Sequence, residues 1–257
     1  SCRIKITGVK MRSSSPITIP TLLNGRHVTR IGKDAFRGNA MITGVTIPGS
    51  IVGIEDFAFY GCPNLADLTI LDGVTRIDGL DAFRYCKALR TITFPKSLKY
   101  IRNRALRDCP NVVRLNVASI EDWLSIRFVT PTSNPMCMSG ASLYVNGKKI
   151  TGEVVIPNGV RQINNYAFMG CNGMLSVIIP SSVESIGQSA FMYNERAKGD
   201  GGVRQVIRIS SDIGTIRVGP LICDKDTSVE IMTRSECSFV GWEDDKGNLV
   251  EDPFHTT

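Results

Sequence analysis

Apolar positions along this chain recur in a cycle longer than a helical turn or a simple alternation. Aligned on an Ala-Phe pair, the cycle passes through Ala35-Phe36, Ala58-Phe59, Ala82-Phe83, Ala105-Leu106, Ala167-Phe168 and Ala190-Phe191, with Ala-to-Ala steps of 23, 24, 23, 62 and 23 residues. An aliphatic or aromatic residue, usually followed by proline, opens each unit: Ile19-Pro20, Ile47-Pro48, Ile70-Leu71, Phe94-Pro95, Ile156-Pro157 and Ile179-Pro180. A third register holds Val28, Ile51, Val74, Leu98, Val160 and Val183. Three residues further on, a fourth holds Ile31, Ile54, Ile77, Ile101, Ile163 and Ile186. Four registers repeating together mark stacked copies of one structural unit.

The unit reads I-P-x-x-V-x-x-I-G-x-x-A-F-x-x-C-x-x-L-x-x-V-x. No single copy can bury its apolar side, so stacking has to build one continuous core. The end of the unit alternates, with Ile92 and Phe94 set among Thr91 and Thr93, which predicts a short strand with one buried face. Successive strands then pair in parallel, about 4.8 Å apart. Proline ends the pairing because it has no N–H to donate. The Ala-Phe region lacks alternation and predicts a short helical turn, with Ala small for close stacking and Phe filling the interior.

The cycle is interrupted twice. The first unit carries five extra residues, absorbed by "LLNGRH". After Val117 comes a segment beginning "SIEDWLSIRF", where Ser119 followed by Asp122 resembles a capping box. Ile120, Trp123, Leu124 and Phe128 follow at roughly helical spacing. Asn146-Gly147 in "SLYVNGKKI" predicts a hairpin. Two readings of this island stand open: a lateral flap that buries Trp123 against the stack, or a binding loop. The expected organisation is an N-terminal cap over 1–18, repeats one to four over 19–117, the island over 118–155, repeats five and six over 156–211, and a β-rich C-terminal cap over 212–257.

Composition refines this picture. The chain has 257 residues, 42% hydrophobic and 21% charged, as in ordinary globular proteins, and no apolar run is long enough to span a bilayer as a helix. Cys62, Cys86, Cys109 and Cys171 share one repeat position, which predicts buried free thiols rather than disulfides. Cys223 and Cys237 lie outside that ladder, and their pairing stays open. With two histidines and no C-x-x-C pair, zinc spacing is absent. No nucleophile elbow, phosphate-binding loop or H-E-x-x-H motif is present, so neither catalysis nor a cofactor is expected. Charge is uneven. Arg84–Arg114 carries nine bases against Asp108, while 224–252 carries nine acids against three bases. Arg84 and Arg107 occupy one position in adjacent coils, and their mutual repulsion argues for a partner bearing acidic groups. The basic residues lack the aromatic platforms of a nucleic-acid surface.

The repeat I-P-x-x-V-x-x-I-G-x-x-A-F-x-x-C-x-x-L resembles the leucine-rich repeat of BspA-like bacterial surface proteins, over roughly Ile19 to Ile207. Leu71 stands for Pro, Leu106 for Phe, and Asn39 and Asn194 for Cys. The resemblance implies an α/β right-handed solenoid with a parallel sheet. It also implies non-enzymatic adhesion to a host or neighbouring-cell protein or an acidic glycan, at the cell surface or after secretion. Cys2 behind Ser1 matches the position of a lipid-anchored cysteine. The expected contact face joins the outward strand residues Asp67, Thr69, Thr91, Thr93, Arg114 and Asn116 to the basic residues Arg84, Lys87, Arg90 and Arg107. The rival reading is a structural spacer within a larger surface protein.

Overall fold

Each repeat forms one coil of a solenoid, and its registers become strands on two walls. The structure is a computed structural model. It describes residues 3–171, 173–180 and 182–191, and beyond them the strands Ile207–Ser211, Arg217–Val218, Val229–Thr233, Trp242–Glu243 and Leu249–Val250. The 224–252 acidic stretch as a whole, Cys2, Asn194, Cys223 and Cys237 lie outside the described residues.

The main wall is a parallel ladder of Ser15–Thr18, Ile42–Ile47, Asp67–Ile70, Thr91–Thr93, Arg114–Val117 and Ser142–Val145. Lys148–Lys149 closes it in the antiparallel sense. A second parallel ladder then runs through Gly152–Val155, Met174–Ile179, Ile207–Ser211 and Val229–Thr233. The opposite wall consists largely of two-residue strands from the V-x-x-I register, such as Arg76–Ile77, Tyr100–Ile101 and Arg127–Phe128, and Gln162–Ile163, Ser185–Ile186 and Arg217–Val218. At the start of the chain, Arg3–Ile6 lies parallel beside Arg26–Ile31.

Alternation sends one row of each strand inward. Val45, Leu68, Ile92, Leu115 and Leu143 follow one another across the main ladder in register, all buried. The repeat phenylalanines stack behind them. Phe36, Phe59 and Phe83 lie with ring centroids 4.7 and 5.0 Å apart, and Phe168 lies 5.5 Å from Phe191. Their planes are within 14° of parallel, so each ring covers the next at an ordinary aromatic spacing.

The predicted helical turn at Ala-Phe is corrected by the backbone. The residue before each Ala is left-handed: Asp34, Phe57, Asp81, Arg104, Tyr166 and Ser189 have φ between 51° and 66°. A left-handed L-residue breaks helical progression, so the segment is a chain of tight turns. Bonds within the turn, such as Arg37 N–H to the Asp34 carbonyl at 3.1 Å, alternate with bonds between coils. The N–H groups of Phe36, Phe59, Phe83 and Phe168 donate to the carbonyls of Ala58, Ala82, Ala105 and Ala190 at 2.7–2.8 Å.

The segment after Val117 forms a coil of the stack rather than lying beside it. Ser119 caps the helix Ile120–Leu124 by accepting from the Asp122 N–H. Arg127–Phe128 then pairs with Tyr100–Ile101, and Ser142–Val145 becomes the next rung of the main ladder. Trp123 is fully buried, as the flap reading expects, and its Nε1 donates to the Ala167 carbonyl at 2.8 Å. In regular coils that carbonyl accepts from a backbone N–H, so the indole replaces a missing main-chain donor. Asn146 and Gly147, at φ 47° and 77°, make the expected hairpin turn. The same dipeptide at Asn24-Gly25 folds "LLNGRH" into a second hairpin.

Candidate functional site

The outward rows of the main ladder bring six of the sequence-selected residues onto one face. In register, Asp67 neighbours Thr91, which neighbours Arg114; Thr69 neighbours Thr93, which neighbours Asn116. Neighbours across parallel strands stand about 4.8 Å apart, so these side chains lie side by side. Arg114 Nε donates to Asn116 Oδ1 at 2.8 Å, and Asn116 Nδ2 donates to Thr93 Oγ1 at 3.2 Å. The Arg114 guanidinium lies 3.9 Å from the centroid of the Tyr144 ring. The result is a half-buried cation fixed by an amide on one side and an aromatic face on the other. Tyr144 was not anticipated, because "SLYV" read as island rather than rung. Its alternation with Leu143 and Val145 was the available signal.

The basic turn is arranged differently from its sequence reading. Arg84 Nε meets Asp108 Oδ2 at 2.8 Å, its Nη1 lies 3.4 Å from Asp81 Oδ2, and its Nη2 donates to the Tyr85 hydroxyl at 2.8 Å. Arg104 pairs with the same Asp81 at 3.0 Å, and Arg107 Nε lies 3.7 Å from Asp108. The Asp81 side chain is only 4% exposed and that of Arg84 15%. The expectation that repulsion between Arg84 and Arg107 needs an external anion is therefore corrected, since Asp81 and Asp108 supply the anions from within the chain. Asp81 sits three residues ahead of the basic stretch, outside its bounds. Lys87 and Arg90 are exposed and remain free to meet solvent or a partner.

On the same side, Arg37 lies 4.8 Å over the Tyr60 ring and 5.3 Å over Phe57, while Tyr60 meets Tyr85 edge to face at 5.5 Å. This aromatic strip also escaped the sequence reading, because Phe57, Tyr60 and Tyr85 take different positions in their repeats.

The cysteine ladder is buried and unbridged. Cys62, Cys86 and Cys109 are free and buried, and their thiols donate to the carbonyls of Phe36, Phe59 and Phe83 at 3.0, 3.1 and 3.2 Å. Burial pushes the Cys109 thiol up to about 12 and that of Cys171 to about 11, far from the thiolate that nucleophilic chemistry needs. Among the described residues no helix is long and apolar enough to cross a membrane.

Comparison with known proteins gives the following. The sequence profile of the BspA type leucine rich repeat region matches six times, over residues 12–127 and 141–199. No curated protein matches the chain. Among solved structures, a leucine rich repeat protein of T. pallidum is 23% identical, covers 68% of this chain and 73% of its own, and has a TM-score of 0.46. A leucine-rich repeat protein from Bacteroides ovatus is 19% identical, with 92% of this chain and 74% of that one covered and a TM-score of 0.39. The pneumococcal vaccine antigen PcpA is 13% identical, with 90% and 82% covered and a TM-score of 0.36.

Proposed function

The chain belongs to the BspA-type leucine-rich repeat family, and on that premise we propose that it is a non-enzymatic binding module acting at a cell surface or after secretion, with a protein or acidic glycan as partner. The observation that carries this reading is the ordered patch of Thr93, Asn116, Arg114 and Tyr144 on the main ladder. A spacer needs only a solvated face. This face instead fixes a guanidinium and a tyrosine ring in advance, and immobilising such groups before contact lowers the entropic cost of binding. Arg and Tyr are also the residues that dominate binding energy at protein interfaces. Asp67, Thr69 and Thr91 extend the patch with donors and acceptors, and Arg90 adds an exposed cation at its rim.

The test is an array of immobilised glycans and extracellular-matrix proteins probed with wild type and with Arg114→Ala/Tyr144→Ala. We expect ligands whose affinity falls at least about tenfold in the variant, as for loss of a hot-spot pair. An array on which both proteins bind nothing, or bind equally, overturns the reading and leaves the spacer in its place.

A further inference from the structure

We propose that a gap in the second wall is a strand-addition site, which takes an extended segment of a partner protein carrying an acidic residue followed by an aliphatic one. The argument begins with the rungs. Along the strands that face the second wall come Arg114–Val117 and Ser142–Val145 of the main ladder and then Gly152–Val155, which opens the second ladder. The first leads to Arg127–Phe128 on the second wall, and the third leads to Gln162–Ile163. The middle one turns back through its hairpin and reaches Gly152 without contributing a second-wall strand. The second wall therefore lacks one rung that the main wall has.

The consequence is visible as a cleft of about 350 Å³, lined by Arg127, Phe128, Val129, Gln162, Asn164 and Asn165. Arg127–Phe128 bonds to Tyr100–Ile101 and Gln162–Ile163 to Ser185–Ile186. Among the described residues no backbone hydrogen bond joins Arg127–Val129 to Gln162–Asn165. Each of these strands bonds along one edge; on the other the Ile126 carbonyl is met by Asn164 Nδ2 at 3.2 Å, and the remaining N–H and C=O groups at the gap form the arrangement that accepts an added strand. Side chains bridge the two coils beneath the gap. Trp123 and Asn134 bond to the carbonyls of Ala167 and Tyr166, and Asn164 Nδ2 bonds to those of Leu124 and Ile126 at 2.9 and 3.2 Å. What the gap lacks is a strand of backbone.

Register sets the side chains of the occupant. One residue would stand outward in the row of Arg76, Tyr100 and Arg127, beside Gln162; the next would follow Phe128 and Ile163 inward. Arg127 is exposed and is the one charged side chain lining the cleft, with amides on the facing side. Opposite charges favour cross-strand pairing and like charges oppose it, so an acid belongs at the outward position. Proline is excluded wherever the added strand must donate.

The probe is the capped pentapeptide Val-Thr-Glu-Ile-Asp, which is Val74–Asp78 of this chain with glutamate in place of Arg76. Titrated into isotope-labelled protein, it should shift the amide resonances of 126–129 and 161–165 and slow their hydrogen exchange. Methylating the peptide nitrogen of its isoleucine should weaken binding roughly three- to tenfold, the worth of a backbone hydrogen bond. Arg127→Glu should weaken it about two- to fivefold, as for an exposed ion pair, and should favour a lysine-for-glutamate peptide. Absence of shifts up to the solubility limit overturns the proposal, as does equal binding of the methylated peptide. Strong protection of 161–165 in the free protein also overturns it, because the gap would then be filled by the chain itself. Arg114→Ala/Tyr144→Ala should leave this binding unchanged; loss of binding in that variant would place the peptide on the main-ladder face and overturn the assignment.

Discussion

At residue scale, the ladder of thiols shows how burial in a repeat changes the chemistry of one side chain. Cys109 and Cys171 sit where the coil interior excludes water, and both hold their protons far above the ordinary thiol value of 9.0. Below pH 9 the folded and unfolded chains carry the same protons at these sites, and the thiols add no pH dependence. As pH rises above 9 the unfolded chain ionises while the folded chain does not, so the unfolded state gains. Stability should therefore fall between about pH 9 and 11, by about 1 kcal/mol per thiol at one unit above the unfolded value. Urea titrations at several alkaline pH values read this directly. Cys109→Ala/Cys171→Ala should flatten the slope while lowering stability at neutral pH, and a wild-type profile already flat over that range would mean that the thiols are not desolvated. The same interior logic governs Arg84. Its charge is tolerated because Asp81 and Asp108 meet it, and Asp81 reaches it from a left-handed backbone position that only the folded coil displays.

At element scale, the coil after Val117 is held by borrowed donors. Trp123→Phe keeps an aromatic ring and deletes the indole N–H, leaving the buried Ala167 carbonyl with Asn134 Nδ2 at 3.4 Å as its remaining side-chain donor. The expected cost is about 1–3 kcal/mol, that of an under-satisfied buried acceptor, measured by denaturant titration. A loss well under that range would assign Trp123 to packing alone. This coil also marks the limit of what the sequence makes legible. The regular rungs are readable because apolar periodicity is itself the physical cause of their burial, and alternation within a rung tells which of Asp67, Thr69, Thr91, Thr93, Arg114 and Asn116 face outward. Ser142–Val145 is not readable as a rung. Its coil lacks the aliphatic-proline mark and puts Pro135 and Met136 where others have Ala-Phe, so nothing in the pattern announces it. The left-handed residues before each Ala are equally silent, since Phe57, Arg104 and Tyr166 are not residue types that advertise positive φ. The hairpin at Leu22–Leu23 was legible in principle, through the same Asn-Gly pair that identifies the one after Val145.

At the scale of the whole molecule, stability in a solenoid is the sum of each coil and its contacts with the next, so the weakest junction decides whether the stack melts as one. Both walls are interrupted at the same place. The main ladder ends at Lys148–Lys149 and restarts at Gly152–Val155, while the second wall stops at Arg127–Phe128 and resumes at Gln162–Ile163. Along the main ladder backbone bonds tie each coil to the next, and among the described residues the second wall is otherwise unpaired between Gly53–Ile54 and Arg76–Ile77. Across this junction the side chains of Trp123, Asn134 and Asn164 reach the carbonyls of Ala167, Tyr166, Leu124 and Ile126, and Gly152 N–H bonds forward to Gly173, away from the N-terminal half. Cohesion between the halves thus rests on a few amide and indole donors together with the shared apolar core. Asn134→Ala/Asn164→Ala removes two of those donors and strands buried acceptors on both sides, without touching any ladder. In this variant a single cooperative unfolding curve should separate into two, one for each half. Hydrogen exchange followed by mass spectrometry locates the change: 152–191 and 15–117 should exchange at clearly different rates in the variant and together in the wild type. If the variant instead melts in one transition with an undiminished denaturant slope, the apolar core alone couples the halves, and the interrupted walls carry no mechanical consequence.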